Sequence, residues 1–322
     1  MSLWQPSASV ANLQKRAETL RFIRDFFYAR GVMEVETPLM SAAAVSDPFI
    51  DSIEVGYSAA PNVDGEDFYL QTSPEYAMKR LLAAGSGPIY QLGKAFRNGE
   101  QGKKHNPEFT MLEWYRPGFD DQALMDEIET LLSPLLGLSG IERVTYADLF
   151  QRYLGFHPDH LSAGQLAIEA RKHIDVQWED DDRDTWLNLL MSHVIEPKLI
   201  TVPALFVMEY PESQAALARV RLDAQQKPVA ARFELFVRGV ELANGYHELT
   251  DAEEQKCRLE ADQQKRKELG LPQRPLDYRL VDALAAGMPD CAGVALGVDR
   301  LIMLMLDVES IAEVISFDFP RA

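Results

Sequence analysis

The stretch FRNGEQGKKHNPEFTMLEWY, residues 96–115, sends out an arginine, crosses a basic loop and returns with acids. Arg97 can grip a phosphate or a carboxylate through two parallel hydrogen bonds, and Lys103, Lys104 and His105 in the loop can meet phosphates. Glu108 and Glu113 stand five residues apart, so on an extended strand they point to opposite faces. In FELFVRGVELANGYHELTD, residues 233–251, Glu234, Glu241 and Glu248 recur every seven residues. A strand with a turn brings Glu234 and Glu241 together, and such a carboxylate pair suits Mg²⁺ carrying nucleotide phosphates. In GVALGVDRLIML, residues 293–304, Gly293 and Gly297 allow the backbone to approach a planar ligand, and Arg300 opens the next helix. Each stretch alone also fits a plainer structure: a surface hairpin, a half-exposed hairpin with its Glu residues in water, or a tightly packed strand–helix junction.

The elements that must carry these groups are legible around them. Val10, Leu13, Ala17, Leu20, Ile23 and Phe27 recur at helical spacing over residues 9–30, with Ser9 as N-cap and Gly31 at the C-terminal end. Residues 31–40 read as a short strand stopped by Pro38, and 45–72 as strands with a turn at Pro61–Gly65. Residues 73–85 form a helix with Pro74 near its start and Gly85 at its end. Residues 88–98 and 108–116 pair as a long hairpin across the loop 99–107, and 119–139 are helical. From about 145 to 225 the pattern changes to short helices around the acidic run EDDDRD at 179–184, which predicts an insertion subdomain and, for the run, a solvated turn or helix start. Residues 204–210 and 231–243 read as strands, 251–269 as a charged, exposed helix, 277–287 as a helix, and the last stretch as a glycine-rich strand entering a buried helix.

Composition narrows the class. The 322 residues are 47% hydrophobic and 25% charged, which excludes disordered, collagen-like and disulfide-scaffold chains. Against 32 Lys and Arg stand 50 Asp and Glu, a net charge of −18 that opposes a nucleic-acid partner. Cys257 and Cys291 lie far apart without metal-ligand spacing and read as unpaired thiols. No secretory signal or membrane span is present, so a cytoplasmic protein is expected.

Taken together and in order, the three stretches resemble the three signature motifs of class II aminoacyl-tRNA synthetases. TSPEYAMKRLL at 72–82, KHNPEFTMLEWY at 104–115 and ELANGYHELTD at 241–251 are similar to the lysyl branch nearly residue for residue. The first motif helix begins near residue 9, which leaves no room for the anticodon-binding OB domain of that branch. The chain is therefore identified as a member of the truncated paralogues that ligate (R)-β-lysine to elongation factor P. The resemblance implies an α+β fold with a six-stranded antiparallel sheet flanked by helices, one catalytic domain over 1–322, and a homodimer.

It also implies roles. Arg97 contacts the ATP α-phosphate, the loop with Asn98, Gly99, Glu100, His105 and Asn106 positions the nucleotide, and Phe109 stacks on adenine. Glu241 and Leu242 line the ATP site, Gly297 and Arg300 complete it, and Glu234 and Glu241 hold Mg²⁺. Arg97 and Arg300 are the catalytic pair. Ser73, Pro74, Glu75, Glu113, Tyr115, Asn244, Tyr246 and Glu248 form the amino-acid site, where carboxylates suit a substrate with two ammonium groups.

Two positions depart from the synthetase pattern. Gly99 stands where the second motif has glutamate, which follows instead at Glu100. Ala295 stands where lysyl-tRNA synthetases have glycine, and its methyl favours β-lysine, whose amine sits one carbon further along. The implied reaction is a two-step ligation through a β-lysyl-adenylate. The alternatives are a minimal lysyl-tRNA synthetase-like enzyme and a non-catalytic regulatory paralogue. Gly99 supports the last, and the retained Arg97, Glu234, Glu241 and Arg300 speak against it.

Overall fold

At the first helix the local signals act as expected. The Ser9 hydroxyl accepts the Asn12 amide, α1 runs Val10–Tyr28, and Gly31 follows at φ +65°. Its stripe differs in detail, with Thr19, Ile23, Phe26 and Phe27 buried and Val10 exposed. The computed structural model describes residues 4–60 and 65–322, so the turn read at Pro61–Gly65 lies almost wholly outside the described residues.

After α1 come β1 (Met33–Glu34), β2 (Met40–Ser41), β3 (Glu54–Tyr57), β4 (Glu66–Leu70), α2 (Glu75–Ala83), β5 (Ile89–Phe96) and β6 (Glu108–Pro117). The middle of the chain forms α3 (Asp121–Leu136), β7 (Glu142–Thr145), α4 (Tyr146–Leu154), α5 (Ala163–Arg171), α6 (Arg183–Leu190), β8 (Leu205–Pro211), β9 (Val220–Leu222), β10 (Pro228–Val237) and β11 (Val240–His247). It ends with α7 (Ala252–Glu268), α8 (Tyr278–Gly287), β12 (Cys291–Gly297) and α9 (Val298–Leu306). The chain divides into two compact units, Met1–Phe119 with Thr250–Ala322, and Asp120–Leu249.

In the first unit β5 and β6 form the expected long hairpin, in register from Ile89↔Tyr115 to Phe96↔Glu108. β12 pairs antiparallel with β6, and β1 runs parallel to β5. Side chains alternate along β6. Trp114 therefore turns to α1, where Phe27 stacks on Tyr90 and meets the indole edge-on. Tyr115 turns the other way and packs with Met78 and Leu82 of α2 and Leu280 and Leu284 of α8. Glu113 shares that second face. β2, β4 and β3 make a small separate sheet. The helix α7 is less exposed than its composition predicts, since Gln255, Leu259 and Arg266 are buried. Arg266 tolerates this because carbonyl and carboxylate oxygens meet its guanidinium.

In the second unit the strand-like run 231–243 lies in a hairpin of β10 and β11, the strand with a turn expected for Glu234 and Glu241. Arg238 and Gly239, at φ 47° and 70°, supply the tight two-residue turn. β8 pairs antiparallel with β10, β9 also pairs with β10, and β7 runs parallel to β8. The helices α4 to α6 share a core built on Phe150, Leu166, Trp186 and Leu187. The acidic run serves α6: Asp182 caps it, and the Asp180 carbonyl accepts the Trp186 indole N–H. The stretch 145–225 falls inside this unit, whose bounds are wider.

Six antiparallel strands are thus present as β5, β6 and β12 in one unit and β8, β10 and β11 in the other. The parallel strands β1 and β7, and the short β9, are additions the resemblance did not include. Neither cysteine is in a disulfide; Cys257 is exposed and Cys291 buried. Among the described residues, no helix is long and apolar enough to cross a membrane.

Candidate active site

Glu113 lies mid-strand on β6, flanked in register by Gln91 on β5 and Ala295 on β12, and only 2% of it is exposed. Two hydroxyls satisfy its oxygens. Ser73 donates to Oε2 at 2.6 Å and Tyr115 to Oε1 at 2.7 Å. The same Ser73 hydroxyl accepts the Glu75 N–H at 3.1 Å and so fixes the start of α2, where Pro74 holds the cap position. One turn on, the fully buried Lys79 ammonium donates to Glu75 Oε1 at 2.6 Å.

Two carboxyls and one ammonium therefore lie together, Glu113 and Lys79 buried and Glu75 partly exposed. Burial, then the neighbouring Glu75 charge, pushes the Glu113 carboxyl up to about 8, against the pull of Ser73, Tyr115 and Lys79. At neutral pH it holds a proton. A bound cation would take that proton's place. Sequence reasoning found Ser73, Glu75, Glu113 and Tyr115 but missed Lys79. Its signal was the acid–base pair at i, i+4.

A second set in the same unit surrounds Arg97. The Arg97 Nη1 reaches Glu100 Oε1 at 3.5 Å, and the guanidinium lies 5.2 Å from the Phe109 ring. Its buried Nε has no hydrogen-bond partner among the described residues. An orphaned guanidinium N–H beside an aromatic ring suits a phosphate with a base close by. Gly99 takes φ +76°, a left-handed turn that returns Glu100 to the arginine. The glutamate's one-place shift therefore leaves the arginine with a carboxylate. Arg300, in the first turn of α9 just after Gly297, donates to His105 Nε2 at 2.7 Å.

Asn106 plays a different part from its neighbours. Its amide donates to the Glu108 carbonyl at 2.7 Å and accepts the Phe319 N–H at 2.9 Å, so it secures the loop to the chain's end. A further tie was invisible in the sequence. Asp299 accepts Arg16 at 2.6 Å and the Thr110 N–H at 2.7 Å, which fixes the start of α9 against β6 beside Phe109.

The second unit carries the other acids. Glu234 and Asn244 are register partners on β10 and β11, as are Arg232 and Tyr246. Arg232 donates to Glu234 Oε1 at 2.5 Å and Asn244 Oδ1 at 3.3 Å, with its guanidinium 4.5 Å from the Tyr210 ring. Burial raises the Glu234 carboxyl, Arg232 opposes this, and the Glu241 charge adds to the rise. Glu234 and Glu241 are thus close enough to feel each other. Leu242 and Glu248 are buried, and the Glu248 carbonyl accepts Arg219. Gly245 is required between Asn244 and Tyr246, because a Cβ there would meet the Phe233 ring at 2.3 Å. Arg232 and Tyr210 were missed because nothing local marks them.

No group of three or more His, Cys, Asp or Glu among the described residues is arranged to hold a metal alone. The Glu234–Glu241 pair, partly engaged by Arg232, fits a hard cation that arrives with phosphate ligands of its own.

Residues 2–321 match the family of class II tRNA synthetases for D, K and N. Over 323 aligned residues the chain is 50% identical to a Salmonella paratyphi B protein named elongation factor P–(R)-beta-lysine ligase, covering 99% of this chain and 98% of that protein. Proteins of the same name from Salmonella schwarzengrund and Salmonella heidelberg are 50% identical over the same spans.

The Glu113 environment has a stability consequence. Its carboxyl rises from about 4.5 to about 8 on folding, so between those values the folded state holds the extra proton and stability falls as pH rises. Glu113→Gln removes this loss. Urea denaturation is expected to show the variant gaining on the parent as pH rises through that window. A difference independent of pH would mean that Glu113 ionises as it does in water.

Proposed function

Because the chain belongs to the class II tRNA synthetases of the D, K and N group, we propose that it is an ATP-dependent ligase acting on (R)-β-lysine and elongation factor P. It activates the amino acid as an adenylate and transfers it to a lysine ε-amine of the factor. The observation that carries this is end-to-end similarity to ligases of that name, at 50% identity over 99% of this chain.

On this reading the amino-acid site uses Ser73, Pro74, Glu75, Glu113, Tyr115, Ala295, Asn244, Tyr246 and Glu248. Glu113, already met by two hydroxyls and raised by burial, exchanges its proton for a substrate ammonium. The nucleotide is met by Arg97, Asn98, Gly99, Glu100, His105, Asn106, Phe109, Glu241, Leu242, Gly297 and Arg300. Asn106 acts through the loop it anchors.

In the first step a β-lysine carboxylate oxygen attacks the α-phosphorus, and the bond to the departing pyrophosphate breaks. Arg97 and Arg300 hold the charge that gathers on the phosphate oxygens. In the second step the acceptor ε-amine attacks the acyl carbon, an amide forms, AMP leaves and the amine gives up a proton. Alignment of the reacting groups supplies much of the rate. Glu234 and Glu241 would hold Mg²⁺, which neutralises phosphate charge. The reading takes 1–322 as one catalytic domain with an insertion at about 145–225, acting as a homodimer in the cytoplasm.

Intact-mass spectrometry tests it. Protein, ATP and Mg²⁺ are mixed with unmodified elongation factor P and either β-lysine or α-lysine, or with tRNA in place of the factor. One lysyl group should appear on the factor, faster with β-lysine. Charging of tRNA alone would make the protein a minimal synthetase, and no transfer at all would contradict the ligase reading.

Ala295 lies beside Glu113 in the β6–β12 register, where one methyl sets the room near the substrate amine. Ala295→Gly should shift the preference toward α-lysine by about 1–3 kcal/mol, or 10–200-fold in relative kcat/KM. An unchanged ratio would remove Ala295 from the selectivity account.

A further inference from the structure

We propose that Asp51 is a positioning residue that sets the turn carrying Arg97 and Asn98. The proposal rests on the reading that Arg97 serves ATP. Asn98 follows Arg97 directly. Its backbone N–H donates to the Asp51 carbonyl at 2.9 Å, and its side-chain amide donates to Asp51 Oδ2 at 2.9 Å. The other carboxylate oxygen, Oδ1, accepts Arg266 at 3.1 Å and Arg274 at 3.3 Å.

Arg266 is only 2% exposed and also donates to the Pro272 and Asp47 carbonyls, at 3.0 and 2.9 Å. Arg274 also donates to Glu54 at 2.5 Å and lies 5.2 Å from the Tyr69 ring. A continuous line of charge-assisted bonds thus runs from α7 through Arg266 and Asp51 to Asn98. Burial works to raise the Asp51 carboxyl, and Asn98, Arg274 and Arg266 more than reverse it. The carboxylate stays charged.

The turn has need of an outside anchor. The Arg97 side chain makes a long 3.5 Å contact to Glu100, and its buried Nε is without a hydrogen bond among the described residues. Gly99 contributes no side chain, and nothing lies within 4 Å of where its Cβ would be. The direction of the guanidinium is therefore inherited from the backbone of 97–99. Asp51 fixes that backbone at Asn98, while Asn106 and Phe319 fix the far end of the loop. A small misplacement of a phosphate-binding arginine is costly, since an error of about 1 Å can slow a reaction 100-fold.

The test is β-lysine-dependent ATP–pyrophosphate exchange, with KM measured for each substrate. Asp51→Asn keeps the shape and removes the charge that the two arginines meet. It should raise KM for ATP about tenfold or more, with KM for β-lysine unchanged within about twofold. Asn98→Ala should have a similar effect, and the double variant should lose little more than either single one. If Asp51→Asn does not fold, Arg274→Gln takes its place and should give the same split with a smaller rise. Unchanged KM for ATP, equal rises for both substrates, or full additivity would overturn the proposal. A parent protein that exchanges no pyrophosphate with β-lysine would instead contradict the ligase reading.

Discussion

Glu113 is buried beside Glu75, and the one ammonium seen to meet that pair, the fully buried Lys79, donates to Glu75. A buried carboxylate beside a second acid is costly to ionise. Lys79 donates to Glu75, while burial and the neighbouring Glu75 charge raise the Glu113 carboxyl. Such a cluster is costly to fold and has a simple use: it is complete only when a second cation arrives. Much of the first unit serves to build it. The β5–β6–β12 register sets Gln91 and Ala295 beside Glu113, Ser73 both accepts the Glu75 N–H at the start of α2 and holds Glu113, and α2 and α8 pack apolar side chains nearby.

The phosphate side is built on the opposite logic. There the buried Arg97 Nε has no hydrogen-bond partner among the described residues. Its geometry comes from backbone anchors: Asp51 at Asn98, Phe319 at Asn106, and the Arg16–Asp299–Thr110 tie beneath α9. A site with an open guanidinium N–H at Arg97 and a suppressed charge at Glu113 suits a substrate pair in which one partner brings phosphates and the other ammonium groups.

Much of this was legible because it is local. Ser9 and the spacing through Phe27 defined α1, the basic loop between two apolar runs defined the β5–β6 hairpin, and glycines followed by an apolar run defined β12 and α9. Ser73, Glu75, Glu113 and Tyr115, expected together from a resemblance, do meet in space. The misses are of another kind. Lys79 reads as a surface residue of a polar helix until the fold covers it, and Arg266 the same. Arg232 acquires meaning only from Gln214, Asn244 and Tyr210, brought to it by the β8–β10–β11 pairing. The turn expected between Glu234 and Glu241 is present at Arg238 and Gly239, though the strand-like pattern over 231–243 did not mark its place.

The most direct measurement of the central claim is titration calorimetry of β-lysine binding in buffers of different ionisation enthalpy. If an ammonium displaces the Glu113 proton, close to one proton is released per β-lysine bound at about pH 7, and almost none above about pH 9. Binding with no proton release at either pH would show that Glu113 is already ionised in the empty site, and the charge account built on it would be wrong.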